Sequence, residues 1–184
     1  MAVGAVATPF EFDISLEPAC EALVASAMAN WGAVHGLYNV AADLSQENLG
    51  RDGDVVTVPN EVLERTLAVN LIGYFYTSRY AIPAMLAGGG GSIVHTTSGV
   101  VRGHTRFAAY GAAKGGVIAL SRHIATRWGK EGIRSNAIDP GITLTQNLRD
   151  MVSDEERQFI SSFGSCSALR RPRGYCGDSG ISPF

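Results

Sequence analysis

Three short runs in this chain, residues 33–40, 92–97 and 133–138, each carry Val or Ile among small and polar residues, and glycine or a polar turn bounds each. A strand buried on both faces reads this way, because a parallel sheet is covered on each side by helices. The stretches between them have a helical period instead. From Pro18, the residues Ala22, Leu23, Ala27, Met28 and Trp31 repeat at helical spacing up to Gly32. After Pro59 a longer pattern runs through Val62, Leu63, Thr66, Leu67, Val69, Asn70, Ile72 and Gly73 toward Leu86, with Pro83 expected to bend it and Gly88 to Gly91 to end it. A third helix carries Tyr110, Val117, Leu120, Ile124 and Trp128. Val3 to Phe12 reads as a further strand. Strands alternating with helices imply an α/β chain on a parallel sheet, and ligands of such sheets bind outside the strands' carboxyl ends. Asn39, Ser98 and Gly141 all fall at such ends.

Composition narrows the partners. With 184 residues, 46% hydrophobic and 17% charged, the chain supports a globular domain with a real core. A net charge of -2 argues against nucleic acid and anionic membrane as partners. Met1 to Ala7 is apolar but lacks a basic n-region and is too short to span a bilayer. Cys20, Cys166 and Cys176 are odd in number and widely spaced, which suits a reduced, cytoplasmic protein. No histidine is spaced to complete a zinc site with Cys166 and Cys176, so no metal is expected.

The chemistry concentrates in Tyr110-Gly111-Ala112-Ala113-Lys114. Positions i and i+4 share a helix face, so the phenol and the ammonium can converge on one bound molecule. A cation beside a tyrosine favours its phenolate, and at about 4 Å with an effective dielectric of about 20 the attraction is roughly 4 kcal/mol. The pair is not an accident of a lysine-rich composition, since Lys114 and Lys130 are the only lysines. Gly111, Gly115 and Gly116 surround it; a glycine inside a helix costs about 1 kcal/mol relative to alanine, so something is expected to pack close to this backbone.

With these residues in order, the chain resembles the short-chain dehydrogenase/reductase family over about residues 10 to 160. Asp13 looks like the aspartate after the family's third strand, and Asn39-Val40-Ala41-Ala42 is similar to its Asn-Asn-Ala-Gly stretch, departing at Val40 and Ala42. Asn70 matches the family's helical catalytic asparagine. Gly91 to Ser98 resembles the strand delivering the serine, assigned to Ser98 rather than Thr97. Tyr110 and Lys114 match the tyrosine and lysine, and Ile133 to Gly141 matches the segment ending in Pro-Gly. The resemblance implies a partial Rossmann-like doubly wound parallel sheet. It also implies hydride transfer between NAD or NADP and an alcohol or ketone. Tyr110 would be the general acid or base, and Ser98 would bond the substrate oxygen. Lys114 would hold the nicotinamide ribose and depress the tyrosine pKa, and Asn70 would hold a relay water. Cofactor contacts are implied at Asp13, Ile14, Asn39, Ala41, Tyr110, Lys114, Pro140, Gly141, Thr143 and Thr145. The helices at 60–87 and 107–129 resemble those of the family's homo-oligomer interface.

The chain departs from the family at both ends. No strand with a Thr-Gly-x-x-x-Gly-x-Gly turn opens it, so the expected sheet lacks the first βαβ unit and the last strand, and affinity for the adenosine half should be weak. Residues 1–163 read as a partial dinucleotide-binding domain and 164–184 as an irregular tail, as a truncated gene product would give. Two other readings stay open: a fragment that only pairs with itself or with an intact relative, and a serine hydrolase suggested by Gly177-Asp178-Ser179-Gly180.

Overall fold

The three runs form parallel strands β1 (Gly36–Asn39), β2 (Gly91–Thr96) and β3 (Ile133–Ile138) in a computed structural model that describes residue 4 and residues 6–141. Their order is β1-β2-β3. Asn39 pairs with His95, and Thr96 with Ile138, so the three carboxyl ends lie along one rim. The chain divides into two units, Met1–Asp139 and Pro140–Phe184, and the sheet belongs to the first. The anticipated tail at 164–184 lies outside the described residues.

Among the described residues four α-helices accompany the strands: α1 (Glu17–Trp31), α2 (Asn60–Leu67), α3 (Gly73–Ala87) and α4 (Ala108–Trp128). Pro18 opens α1, where its missing N–H is no loss, and Gly32 closes it in the left-handed region at φ 72 with its N–H on the Met28 carbonyl. α1 packs on α3, while α4 lies against β3 and β2. Ile93 and Ile133 from the sheet, Met85 from α3 and Val117 from α4 are all at most 1% exposed and form the centre of the core. No helix among the described residues is long and apolar enough to cross a membrane.

Three expectations need correction. Residues 6–12 are not a strand. A strand is held by a hydrogen-bonded neighbour, and this segment has none in the described sheet, whose three members are β1, β2 and β3. The strand expected at 33–40 is reduced to Gly36–Asn39. The long helix from 60 to 87 is interrupted at Ala68–Ile72 by a π turn that carries Asn70, whereas Pro83 lies inside the regular helix α3. A π turn inserts an extra residue into the helical ladder, and such turns are frequent at functional positions.

The tight backbone approaches are specific. At Gly73, just after the π turn, a Cβ would stand 2.7 Å from both the carbonyl oxygen and the side chain of Ile14. At Gly116 it would meet the Leu71 side chain at 2.8 Å, so the close packing expected around the tyrosine helix is real there. Gly115, one residue earlier, has nothing within 4 Å. Two alanine substitutions should therefore separate in sign. Gly73→Ala is expected to lower unfolding free energy by about 2 kcal/mol, since the obstructing atoms include backbone. Gly115→Ala should raise it by about 0.5–1 kcal/mol through helix propensity. Urea denaturation of the two variants beside the unmutated chain measures both.

Candidate active site at the carboxyl rim of the sheet

Helix α4 begins beside the rim because a distant carboxylate fixes its first turn. Asp52, fully buried, accepts hydrogen bonds from the Ala109 N–H at 3.1 Å and the Tyr110 N–H at 2.8 Å. Its carbonyl takes the Phe107 N–H at 3.2 Å, and Gly53 takes that of Ala108 at 3.1 Å. The amino end of a helix carries unsatisfied N–H groups and partial positive charge, so a buried carboxylate there satisfies both. Phe107, the residue before the helix, sits in the left-handed region at φ 66. This backbone is unfavourable for a non-glycine residue and is held by the Asp52 clamp, with the Arg106 guanidinium 5.3 Å from the Phe107 ring.

From that start, Tyr110 and Lys114 project as the spacing predicts. The Lys114 ammonium lies 5.5 Å from the Tyr110 ring centroid. Ser98, at the carboxyl end of β2, stands close enough to the Tyr110 phenol to favour its ionised form. It also accepts from the Val100 N–H at 3.4 Å and so caps the following short helical turn. Serine, phenol and ammonium therefore converge at one place on the rim.

The electrostatics differ from expectation. Burial pushes the Tyr110 phenol above its ordinary value, with a further push from the negative charge of Asp139, and the nearby Ser98 side chain only partly offsets them. Lys114 does not depress it here, because the ammonium is turned toward other partners: the Tyr74 hydroxyl at 3.2 Å and the Thr96 carbonyl at 3.0 Å. Lys114 is itself only 1% exposed, and burial pulls its pKa down to about 8.

Behind this group runs a buried polar column. The Thr77 hydroxyl lies 2.9 Å from Asn39 Oδ1, and Asn39 Nδ2 lies 3.1 Å from His95 Nδ1. With Thr77 donating to the amide oxygen, the amide nitrogen donates to Nδ1, which leaves the imidazole proton on Nε2. Nε2 is buried with no partner among the described residues, as is Asn70 Oδ1. Asn70 Nδ2 donates to the Thr66 carbonyl at 3.1 Å. Burial first, and then the Lys114 charge, lower the His95 pKa to about 4.

The expected cofactor residues separate into groups. Asp13, Ile14 and Ala41 border one shallow cleft of about 490 Å³, together with Asp43, Arg65 and Val69. Asp13 receives the Ser15 N–H and hydroxyl at 2.9 and 2.7 Å and pairs with Arg65 at 3.4 Å, which hold its carboxyl below the usual range. Ile14 is mainly a core residue, 7% exposed. Asn39 has both ends of its amide committed to the buried column. Gly141 adopts a left-handed φ of 66 in the second unit, to which Pro140 also belongs. Thr143 and Thr145 lie outside the described residues. Among the described residues no three His, Cys, Asp or Glu side chains cluster to hold a metal.

Sequence reading missed Asp52, Tyr74, His95 and Asp139. The role of Asp52 depends on a helix more than fifty positions away, which nothing in its neighbours announces. His95 gave a faint signal, as a histidine following Ile93 and Val94 inside a strand.

Known proteins resemble this chain in sequence and in fold. A family model described as Enoyl-(Acyl carrier protein) reductase matches residues 2–174. The 7alpha-hydroxysteroid dehydrogenase of Bacteroides fragilis is 32% identical over 165 residues, covering 89% of this chain and 62% of its own length. The crystal structure of a Burkholderia xenovorans protein assigned to the short-chain dehydrogenases/reductases superposes with a TM-score of 0.75 at 29% identity, covering 86% of this chain and 60% of that one. A 7 alpha-hydroxysteroid dehydrogenase solved with NADH and 7-oxo glycochenodeoxycholic acid gives a TM-score of 0.70 at 28% identity, covering 80% and 55%. The chain belongs to the short-chain dehydrogenase/reductase family. It spans about three fifths of the length of these relatives.

A neutral buried histidine should leave a mark on stability. His95 has a lowered folded pKa, so its contribution is fully present above the unfolded value of 6.5 and is lost as pH falls toward about 4. The expected loss over that window is about 3 kcal/mol. In His95→Asn, whose amide oxygen can still accept from Asn39, the stability difference between pH 6.5 and 4 should shrink by that amount in denaturant titrations.

Proposed function

We propose that this chain carries the catalytic machinery of an NAD(P)-dependent oxidoreductase that interconverts an alcohol and a carbonyl, with Tyr110 as general acid and base. The observation that carries the reading is the meeting of Ser98, Tyr110 and Lys114 at the carboxyl rim, with serine beside the phenol and the ammonium 5.5 Å from its ring. Bound nicotinamide would supply or accept the hydride. Tyr110 would give its phenolic proton to the oxygen of a carbonyl as the hydride reaches the carbon, and would take that proton back in the oxidation direction. Ser98 would hydrogen-bond the same oxygen and stabilise its developing charge.

The residues present fit a cofactor. The cleft bordered by Asp13, Ile14 and Ala41 reaches Lys114 through two hydrogen bonds, since the Ala41 carbonyl accepts from Tyr74 and Tyr74 accepts from Lys114. An ammonium has three N–H groups, and Lys114 commits two to Tyr74 and Thr96, leaving one for a ribose hydroxyl. Asn70 Oδ1, buried with no partner among the described residues, suits a water of a proton relay. Asn39, Pro140, Gly141, Thr143 and Thr145 complete the proposed contacts by their place in the family's motifs.

Because the phenol is raised, the protonated form prevails at neutral pH. That is the form in which it can donate a proton to a carbonyl oxygen. The oxidation rate should climb with pH, its limb displaced above the ordinary tyrosine value of 10.0 when alcohol oxidation is followed from pH 7 upward. A limb centred well below that value would show that the phenol is a stronger acid in the working site.

A second reading, in which the chain only self-associates or pairs with an intact relative, draws on the orientation of Lys114 toward Tyr74 and on the exposure of the apolar Ile72 and Phe75 on the second long helical stretch, at 39% and 46%. Fluorescence titration of the 184-residue chain with NADH and NADPH separates the two readings. Binding, together with a roughly 10²–10⁴-fold loss of ketone reduction in Tyr110→Phe, supports the oxidoreductase. Dimerisation without any nicotinamide binding supports the second.

A further inference from the structure

We propose that Tyr74 is a positioning residue for Lys114: its hydroxyl accepts from the ammonium and donates to the Ala41 carbonyl, tethering the charge between the loop after β1 and the end of β2. The tether stands on geometry alone, while its use in proton transfer rests on the oxidoreductase reading above.

Tyr74 is a buried residue of α3, fully enclosed, where the apolar face of the helix would be served equally well by phenylalanine. A buried tyrosine hydroxyl must find partners, and this one has two that use both of its capacities. It lies 3.1 Å from the Ala41 carbonyl, which can only accept, so the phenolic proton points there. Its lone pairs then face the Lys114 ammonium, 3.2 Å away, which can only donate. The direction of each hydrogen bond is thereby settled by chemistry. The ring cannot swing away, because it stacks on the His95 imidazole with centroids 5.8 Å apart and an interplanar angle of 21°. The ammonium also sits 4.8 Å from the centre of the same ring.

This arrangement answers an electrostatic need. Lys114 is almost fully buried, and its described hydrogen-bond partners are a phenol and a carbonyl, with no carboxylate among them. Among the described residues, the titratable groups in contact with it are His95 on β2, Tyr110 on α4 and Tyr74 itself, and none of these supplies a negative charge at neutral pH. Burial keeps the Tyr74 phenol well above the ordinary tyrosine range, so it is a neutral acceptor at neutral pH. Hydrogen bonds to a charged group are the strong ones, and removing one of two acceptors from a buried ammonium disfavours its charged form.

The composition offers a direct readout, since only Lys114 and the exposed Lys130 would give lysine signals. In protein labelled with ¹³C at the lysine ε carbon, and carrying Lys130→Arg so that a single signal remains, the titration of Lys114 is followed by NMR. Tyr74→Phe retains the ring, and with it the stacking and the cation–π contact, and deletes only the hydroxyl. The expected result is a fall of the Lys114 pKa by about one unit at unchanged far-ultraviolet circular dichroism. An unchanged Lys114 titration in folded Tyr74→Phe would overturn the proposal. Should that variant not fold, nuclear Overhauser contacts between the Lys114 ε protons and the Tyr74 ring in the unmutated side-chain pair decide, and their absence also overturns it. Neither readout contains nicotinamide, so a failure to bind NADH would defeat the oxidoreductase reading without touching this result.

Discussion

A positive charge buried at the end of a sheet is the constraint around which the rim is built. Taking an ammonium out of water is expensive, and the cost is met only if fixed dipoles replace the lost hydration. Around Lys114 these are the Thr96 carbonyl and the Tyr74 hydroxyl, backed by two aromatic faces. Much of the local architecture follows from supplying them. Tyr74 must be buried and aimed, so it stacks on His95. His95 must be neutral, so its ring accepts from Asn39. Asn39 in turn must be oriented, and Thr77 does so. A column that looks like scattered polar residues in the sequence is one chain of consequences.

The alternation of strand and helix was legible because it depends on local periodicity. β2 and β3 appear where the strand-like runs place them, and α1 stops at Gly32 because that glycine adopts the left-handed backbone. What failed was the inference that an apolar run must be a strand. Residues 6–12 have the composition of one and lack a neighbour to bond with, and pairing is a property of the assembled sheet. The π turn at Ala68–Ile72 was invisible for a related reason: its residues continue the helical pattern, and the extra residue shows only in the hydrogen-bond ladder.

Within the site, residue identity was easier to read than residue state. Tyr110, Lys114 and Ser98 come together as their motifs imply. The sign of the tyrosine shift does not follow from the presence of a lysine four residues on, because the ammonium has better acceptors on its other side and because Asp139 lies near the phenol. Charge pairs inferred from spacing assume that each partner has nowhere else to turn. Here the competition is decided by Tyr74, which belongs to a different helix and has no sequence proximity to announce it.

The clamp at the start of α4 has a bearing on how such chains diverge. Asp52 belongs to the long connection between β1 and α2, the kind of segment in which insertions and deletions accumulate most freely, yet it dictates where the phenol begins its helix. A chimera that exchanged residues 49–54 for a relative's shorter turn would thus reposition a proton donor without altering any residue of the rim. Swapped segments meant to retune specificity would have to bring their own carboxylate, or the first turn of the helix would drift.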